Sequence, residues 1–543
     1  MNRTILSLGG TVVALAAVTG VAAVAAPGET STGTKDTGAA AAAAHKPVER
    51  STLVCPQPGD SDVAETAYTA FTPKGDGSKK GSAALQRAEL ADTDGPDDPG
   101  KGDKDGKDGK DEKKDEKGKA KDKDKKKDGK GESAEKGKDE KPVLPLSTPG
   151  TPVTSTMDSA EADALVGTAD GPFAPGWTVQ QTTTVSAGAG RGLQGAACSA
   201  PDTSFWFPGA STAADRQDYV HLTNPDTTST VVDLELYGKD GKEKTGVGSG
   251  EGVTIPPRST VPVLLSTLTA DPVTNVTLHV TARSGRVGAQ VQASDAKLGG
   301  DWLTPAGEAG PRAVLPGIPG DATSVRLAVF APGDEDADLK VRLAGAGNMI
   351  SPAGYETLHV KGGMTTAVDL KDLTKGEPGS LVLSPAEDGP DATPVIAALR
   401  VTRGKGAKQE TAFIPSTAPV TKRATAADNR DGGSTLALTA PDEAAKVRVT
   451  ASAGSGGGTS KSTTVTVKAH TTKSLTPPSP EGGKGTYAVT VERLSGGPVH
   501  ASRMLARKQD GIPAFTIQNL PDDRSTVAVP RSSQDLSVVN DGR

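Results

Sequence analysis

The chain has 543 residues, of which 34% are hydrophobic and only 3% aromatic, and it contains 66 glycines and 40 prolines. Its length predicts several domains, and so many helix-breaking residues argue against long helices and coiled coils. The formal charge of −6 argues against a nucleic-acid partner, because proteins that bind nucleic acids usually carry a basic domain.

The N-terminus carries an apolar segment. Ile5 to Ala26 is an uncharged run rich in alanine, valine and leucine, and Arg3 precedes it. Residues 1–26 therefore predict a signal peptide, with Ala23-Val24-Ala25 as the cleavage candidate. The run is also long enough to span a bilayer, so an uncleaved membrane anchor is the alternative. In both cases we expect an extracytoplasmic protein that is secreted or held at the membrane only by this segment.

Two segments of low complexity follow. Residues 27–46 are alanine-rich and indicate a spacer. Residues 101–141 contain 17 lysines and 14 acidic residues and almost no apolar side chains. Such a composition cannot bury enough apolar surface to fold, so we expect a disordered Lys/Asp/Gly-rich linker within residues 76–150. Its interleaved charges indicate a solvated linker rather than a cationic patch.

From about residue 166 onward the sequence alternates apolar and polar residues in short runs. In residues 230–237, for example, apolar residues occupy every second position at Val232, Leu234 and Leu236, and an Asp-Gly turn follows. Short alternating runs separated by glycine, proline, asparagine and aspartate are typical of strands in an all-β sandwich or barrel.

The most informative pattern is an internal repeat. A strand that ends at a proline recurs at Pro225, Pro332 and Pro441, 107 and 109 residues apart, and strand-like blocks follow each one in the same order. About seven strands in roughly 105 residues fit an immunoglobulin-like sandwich. We therefore predict an all-β protein with three tandem immunoglobulin-like β-sandwich domains. Their predicted bounds are 47–300, interrupted at 76–150, then 301–416 and 417–543.

The chain has two cysteines, Cys55 and Cys198. In an exported protein we expect them to form a disulfide, which would hold the N-terminal strand to the first domain across the linker. Two separate buried thiols are the alternative.

No residue pattern indicates catalysis. The six histidines show no metal-ligand spacing, and no G-x-S-x-G motif is present. Residues 190–195 fit G-x-G-x-x-G, but no predicted helix follows, which argues against a dinucleotide site. Residues 334–338 resemble the start of a calcium loop but lack its glycine. The sequence therefore predicts no enzyme, no metal and no cofactor.

One aromatic side chain is a candidate for ligand contact. In Phe205-Trp206-Phe207 the period of a strand places Trp206 on the face opposite its two neighbours. If the phenylalanines point into the core, Trp206 is exposed and could stack on a sugar or a partner. Packing of Trp206 against another part of the chain is the alternative.

Several short motifs resemble those of a known group of proteins. They are residues 53–56, 205–209, 222–225 and 255–260, together with the N-terminal apolar segment. In these motifs the chain is similar to a group of actinobacterial exported proteins known only as a domain of unknown function. The resemblance implies an envelope-associated protein without assigned catalysis, and it supplies no functional residues.

Together these observations predict a non-catalytic extracytoplasmic protein that serves as an envelope scaffold or protein-interaction rod. The alternative is a carbohydrate-binding or cell-wall-binding protein that uses an aromatic patch around Trp206. The expected partners are accordingly an envelope protein or a cell-wall polysaccharide.

Overall fold

The computed structural model describes residues 44–529, apart from 60, 76–79, 92–140, 245, 247–249, 388, 390, 391 and 510. The chain divides into two units, residues 47–527 and a small unit of residues 1–46 with 528–543. Strands β1 (Ala44–Pro47) and β36 (Thr526–Val529) pair with each other. The apolar segment 5–26 lies outside the described residues, and within those residues no helix is long and apolar enough to cross a bilayer.

The unit of residues 47–527 is built from strands that form four copies of one pattern, which we call repeats 1 to 4. Repeat 1 contains β2 (Arg50–Cys55), β3 (Ala64–Phe71), β4 (Ala83–Leu90), β5 (Leu144–Leu146), β6 (Val153–Asp158), β7 (Ala164–Asp170), β8 (Thr178–Val185) and β9 (Gly192–Ala197). Repeat 2 contains β10 (Ser204–Ala210), β11 (Arg216–Thr223), β12 (Thr230–Gly238), β13 (Gly241–Lys242), β14 (Val253–Ile255), β15 (Ser259–Leu264), β16 (Val276–Ser284), β17 (Gly288–Asp295) and β18 (Gly299–Leu303).

Repeats 3 and 4 continue the series. Repeat 3 contains β19 (Ala313–Ile318), β20 (Ala322–Phe330), β21 (Ala337–Ala344), β22 (Met349–Ile350), β23 (Thr357–Val360), β24 (Thr365–Asp369), β25 (Gly379–Pro385), β26 (Ile396–Arg403) and β27 (Glu410–Pro415). Repeat 4 contains β28 (Arg423–Asn429), β29 (Ser434–Ala440), β30 (Ala445–Gly454), β31 (Lys461–Val467), β32 (Thr471–Leu475), β33 (Tyr487–Gly496), β34 (His500–Gln509) and β35 (Ile512–Asn519). Short 3₁₀ turns occur at Ser159–Glu161, Gly171–Phe173, Leu265–Thr267 and Gly406–Lys408.

Each repeat forms two sheets with the same strand order. If the two-residue strands β13 and β22 are left out, every repeat has eight strands. The first, sixth, third and fourth strands pair in that order, and the fifth, second, seventh and eighth strands pair in that order. We call these the 1-6-3-4 sheet and the 5-2-7-8 sheet. At one place sheets of two repeats join, because β15 of repeat 2 pairs in parallel with β4 of repeat 1.

The alternating sequence explains why the sheets stack in pairs. Along β12 buried and half-buried residues alternate without a break, as the period of two in a strand predicts. The buried residues of both sheets in a repeat meet in one cluster, so each repeat has its own hydrophobic core. The cores of repeats 2 and 3 also include a few residues of the following repeat. The all-β prediction is confirmed.

Two predicted boundaries were wrong. The predicted domain 47–300 contains two repeats, because the N-terminal strands form a sandwich of their own with residues 144–197. Strands β4 and β5 lie inside the segment 76–150 that was expected to be disordered. The charged segment is therefore an insertion between the third and fourth strands of repeat 1. The alanine-rich spacer predicted at 27–46 overlaps β1 by three residues, and its other residues lie outside the described part.

The strand order also differs from the predicted immunoglobulin order. In an immunoglobulin constant domain strands A, B, E and D form one sheet, and C, F and G form the other. The repeats share the pairing of the second with the fifth strand and of the third with the sixth. The first and fourth strands, however, join the third and sixth, and the seventh joins the second. The repeats are thus two-sheet sandwiches with a different arrangement of outer strands.

The four repeats form a closed ring rather than a rod. The first strand of repeat 2 contacts the second and seventh strands of repeat 3, and the same contact joins repeat 3 to repeat 4 and repeat 4 to repeat 1. The first strand of repeat 1 contacts the seventh strand of repeat 2, which completes the series. The eighth strands β9, β18, β27 and β35 contact one another in the same cyclic order. The predicted rod was therefore wrong, because repeat 4 packs on repeat 1.

Two contacts join parts of this unit that lie far apart in the sequence. A disulfide joins Cys55, at the end of the first strand of repeat 1, to Cys198, just after its eighth strand. The predicted bridge is confirmed, and no described cysteine is free. Where the chain enters and leaves the ring, the Val48 backbone N–H donates to the Ser525 carbonyl at 3.1 Å.

Trypsin cleavage within residues 101–141, where the chain has 17 lysines, is expected to leave two fragments covalently joined. The reason is that Cys55 and Cys198 lie on opposite sides of the cut. Gel electrophoresis with and without reductant measures this, and a Cys55→Ser/Cys198→Ser chain is the control, whose fragments separate on both gels. Separation of the unmodified chain without reductant would contradict the bridge.

Candidate functional site

The centre of the ring is the place where functional groups from different repeats come closest together. The four eighth strands meet there, and three glycines permit the approach. A Cβ on Gly195 would lie 2.6 Å from Thr516 Cγ2 of repeat 4, and a Cβ on Gly192 would lie within 2.9 Å of the Glu410 carboxyl of repeat 3. A Cβ on Gly299 of repeat 2 would lie 2.5 Å from the Arg191 carbonyl oxygen of repeat 1, and Gly299 has a positive φ of 78°. Side chains at Gly195 and Gly299 would clash with the neighbouring repeat, and one at Gly192 would displace the Glu410 carboxyl.

Arg191 connects three repeats at one end of this centre. It lies in the turn between β8 and β9 of repeat 1, and its Nη2 donates to the carbonyls of Lys297 in repeat 2, at 3.0 Å, and Gln409 in repeat 3, at 2.9 Å. Its Nε also lies 3.8 Å from Glu410 Oε1. Arg191 therefore holds the corresponding turns of its two neighbours.

A buried carboxyl of repeat 2 links repeats 1 and 4. Asp301 is fully buried, and its Oδ1 accepts from the Gly195 N–H at 2.8 Å and from the Thr516 hydroxyl at 3.1 Å. Burial raises the pKa of Asp301 well above its usual range, and these hydrogen bonds only partly oppose that shift. The neutral acid is therefore favoured at this position.

A second buried carboxyl lies in the same region. Glu410 is 1% exposed, and among the described residues neither of its oxygens has a hydrogen-bond partner. Burial raises the pKa of Glu410 to about 7, with Arg191 acting in the opposite direction. Glu410 is thus a carboxyl that changes its charge near neutral pH inside a packed junction.

Repeats 4 and 1 are joined by a layer of buried polar side chains. The Gln180 side-chain oxygen accepts from Arg503 Nη2 at 2.8 Å and from the Asp428 backbone N–H at 2.9 Å. The Thr182 hydroxyl donates to Asp428 at 2.7 Å. Arg503 is fully buried, and burial lowers its pKa to about 10. This layer closes the ring with hydrogen bonds rather than with apolar contacts alone.

Trp206 lies at the junction of repeats 2 and 3. Its ring stacks on His279, with centroids 3.6 Å apart and planes 4° apart, and it contacts Phe330 of repeat 3 at 5.2 Å. Tyr237 lies 6.2 Å from Trp206, and its hydroxyl donates to Glu235 at 2.9 Å. Trp206 is half-buried, so part of its ring packs against other residues of the protein.

The pair of residues at the position of Trp206 and His279 differs among repeats 2, 3 and 4. Trp206 pairs with His279 across the first and sixth strands, whereas Val314 and Val382 face each other in repeat 3. In repeat 4 the pair is Thr425 and Thr490. The aromatic and imidazole pair thus gives the junction of repeats 2 and 3 a chemistry that the two following junctions do not have.

The motifs that were rejected in the sequence have structural roles. Residues 190–195 form the turn and start of β9, where Gly192 makes room for Glu410. In the acidic segment, Asp336 and Asp338 bind His359, whose Nδ1 lies 2.8 Å from Asp338 Oδ1. In the part of the chain that the structure describes, no three His, Cys, Asp or Glu side chains are placed to hold a metal ion.

Sequence reasoning did not find Arg191, Asp301 or Glu410. Arg191 directly precedes an eighth strand, Glu410 begins one and Asp301 lies in the middle of one. Arg191 and Asp301 are next to glycines. A charged residue in a short apolar closing strand is the available signal. Its meaning becomes visible only once the four eighth strands are known to meet.

A family model matches residues 153–478, which is more than half of the chain, and its description is a family of unknown function, DUF5719. The matched segment begins at β6 of repeat 1 and ends just after β32 of repeat 4, the same position in the repeat. No curated protein matches the chain, and no solved structure does.

Replacing Glu410 with glutamine is expected to stabilise the protein above pH 7. A native pKa of about 7 against an ordinary value of 4.5 means that the folded protein loses stability as the pH rises from 4.5 to 7. Glutamine stays neutral, so the gain in unfolding free energy should reach about 3 kcal/mol at pH 8 and vanish near pH 4.5.

Urea unfolding at both pH values measures this difference. The exposed Glu335→Gln is the matched control, which should change stability by less than about 0.5 kcal/mol at either pH. An equal effect of Glu410→Gln at pH 4.5 and pH 8 would show that the Glu410 carboxyl does not titrate in this way.

Proposed function

Since the chain belongs to the DUF5719 family, whose function is unknown, we propose from the geometry that it is a non-catalytic, extracytoplasmic interaction protein of the cell envelope. In this proposal the closed ring is a rigid platform, and a protein of the envelope binds to its outer surface. The observation that carries the proposal is the position of the ionisable groups whose pKa values are shifted, which lie buried between repeats.

Strongly shifted pKa values often mark active sites. Here the groups concerned, such as Asp301, Glu410 and Arg503, are enclosed between repeats and contact residues of the neighbouring repeat. Groups that join repeats in this way favour a structural role. Their burial also keeps them out of reach of a substrate, which supports a binding rather than a catalytic function.

Two features support the extracytoplasmic location. The N-terminal apolar segment has the composition of an export signal or anchor. The Cys55–Cys198 disulfide is of a kind that persists mainly in oxidising compartments. If the protein lies outside the cytoplasm, a protein of the cell envelope is the partner that this location favours.

A second candidate function is binding of cell-wall carbohydrate at the junction of repeats 2 and 3. The specific observation in its favour is the difference between this junction and the next two. Tyr237 and His279 contact the carboxyl of Glu235, and Trp206 stacks on His279 beside them. Sugars are commonly bound by aromatic rings beside such polar groups. The stacking of Trp206 on His279 counts against it, because that ring face is already occupied.

One binding experiment separates the two candidates. The immobilised full chain is incubated with solubilised envelope proteins of the source cell and, separately, with purified cell-wall polysaccharide. We expect saturable binding of an envelope protein that protease treatment of the extract abolishes and that Trp206→Ala leaves unchanged. Binding to the polysaccharide that falls at least tenfold in Trp206→Ala would support the second candidate instead.

The control for this experiment is Trp206→Phe, which keeps an aromatic ring at the junction. Thermal unfolding of each variant checks that the ring of repeats is intact. Binding to neither preparation by the unmodified chain would contradict both proposals.

A further inference from the structure

The fourth strands form outer edges of the ring. In each repeat the fourth strand pairs with the third on one side, and in repeats 2 to 4 no described strand pairs with its other side. The first and eighth strands, which also lie at sheet edges, face neighbouring repeats. A sheet edge carries unpaired N–H and C=O groups that can pair with another chain.

Three of the four fourth strands have features that restrict such pairing. Strands β5 and β14 have three residues each and β23 has four. Pro145 lies within β5, Pro256 follows β14, and β23 lies between Glu356 and Lys361. Short length, proline and flanking charge are the usual protections of an edge strand.

Strand β31 of repeat 4 is longer than these and contains no proline, and its only flanking charges are Lys461 at its start and Lys468 directly after it. It has seven residues, Lys461–Val467, and the six after Lys461 are serine, threonine and valine. Threonine and valine are among the residues that favour strands most. Its backbone pairs with β30 over all seven residues, so the strand is regular and its free edge is continuous.

The side chains of β31 are also open to solvent. Residues 461–464 and Thr466 are exposed, and Val467 is the buried residue at its end. Its single charged residue, Lys461, lies at the other end, 3.6 Å from Glu481. The middle of the strand therefore presents an uncharged, regular edge.

We propose that β31 is a docking edge for a second copy of this chain, which pairs antiparallel with it through its own β31. The pairing is centred on Thr464, so that Thr464 lies opposite Thr464 of the second copy. Ser462 then faces Thr466, and Lys461 faces Val467. The 1-6-3-4 sheets of repeat 4 in the two copies become one continuous sheet.

Self-complementarity is the reason for choosing a second copy as the occupant. A two-fold antiparallel pairing centred on Thr464 places only Thr464 opposite its own counterpart, and in this register no two charges of the same sign are directly opposite. The residues that meet are β-branched or hydroxylated, which pair favourably across strands. The chain already joins sheets by their edges, since β15 of repeat 2 pairs with β4 of repeat 1.

The association is expected to be weak and reversible. One pair of seven-residue strands buries less than the roughly 1,200 Å² that stable interfaces usually bury. Measurements therefore need to extend to several hundred micromolar protein. The inference concerns self-association and does not depend on the envelope partner proposed above.

Sedimentation velocity of the full chain at increasing concentration tests the proposal. We expect a monomer–dimer equilibrium for the unmodified chain and a loss of at least tenfold in affinity for Thr464→Glu and for Thr464→Lys. Each substitution places two like charges opposite each other in the dimer. An equimolar mixture of the two variants should regain dimerisation, because the carboxylate of one variant then lies opposite the ammonium group of the other.

The matched control is Thr357→Glu, an exposed threonine in β23, the fourth strand of repeat 3. It should dimerise like the unmodified chain, and circular dichroism checks the fold of every variant. Three results would overturn the proposal: a monomer at all concentrations, variants that dimerise as well as the unmodified chain, or a mixture that does not recover. Growth beyond a dimer would also contradict a two-fold pairing.

Discussion

The close contact of four eighth strands at the centre is the constraint on which the ring depends. Gly192, Gly195 and Gly299 lie where a Cβ would meet a side chain of another repeat, so the strands approach only because these positions lack one. The space is filled by Asp301 and Glu410, buried carboxyls that belong to different repeats. Burying a charge without a partner is costly, which explains why the pKa values of both acids are raised.

Because the ring is closed, the first and last repeats have no exposed ends that require capping. In an open array each repeat contacts only its neighbours, and the end repeats require polar caps. Here repeats 1 and 4 cover each other through Gln180, Asp428 and Arg503. Such a network favours one arrangement of the two repeats, because a shift between them would break these buried hydrogen bonds. Hydroxyl groups also form hydrogen bonds between other repeats, for example from Thr365 of repeat 3 to Thr277 of repeat 2 at 2.8 Å.

The sequence predicted the part of the structure that is periodic. Alternating residues and the recurring prolines led to three of the four sandwiches, and the predicted export signal made the disulfide a reasonable prediction. The fourth sandwich was missed because the charged insertion splits its strands, although Pro73 ends β3 as Pro225 ends β11. The sequence did not predict the ring or the packing of Trp206 at the junction of two repeats. Contacts between repeats involve single residues such as Arg191 and Phe330, which leave no periodic signal.

The hydrogen bond from Val48 to Ser525 has a mechanical consequence. Because the chain enters and leaves the ring at one point, tension applied to its two ends acts first on the pairing of β1 with β36 and then on the contact between repeats 4 and 1. A linear array under the same load would transmit the force through every repeat in series. In repeat 1 the Cys55–Cys198 bridge carries that load past the sandwich, since it spans the strands from the first to the eighth. The repeat nearest the N-terminal segment is thereby protected from extension.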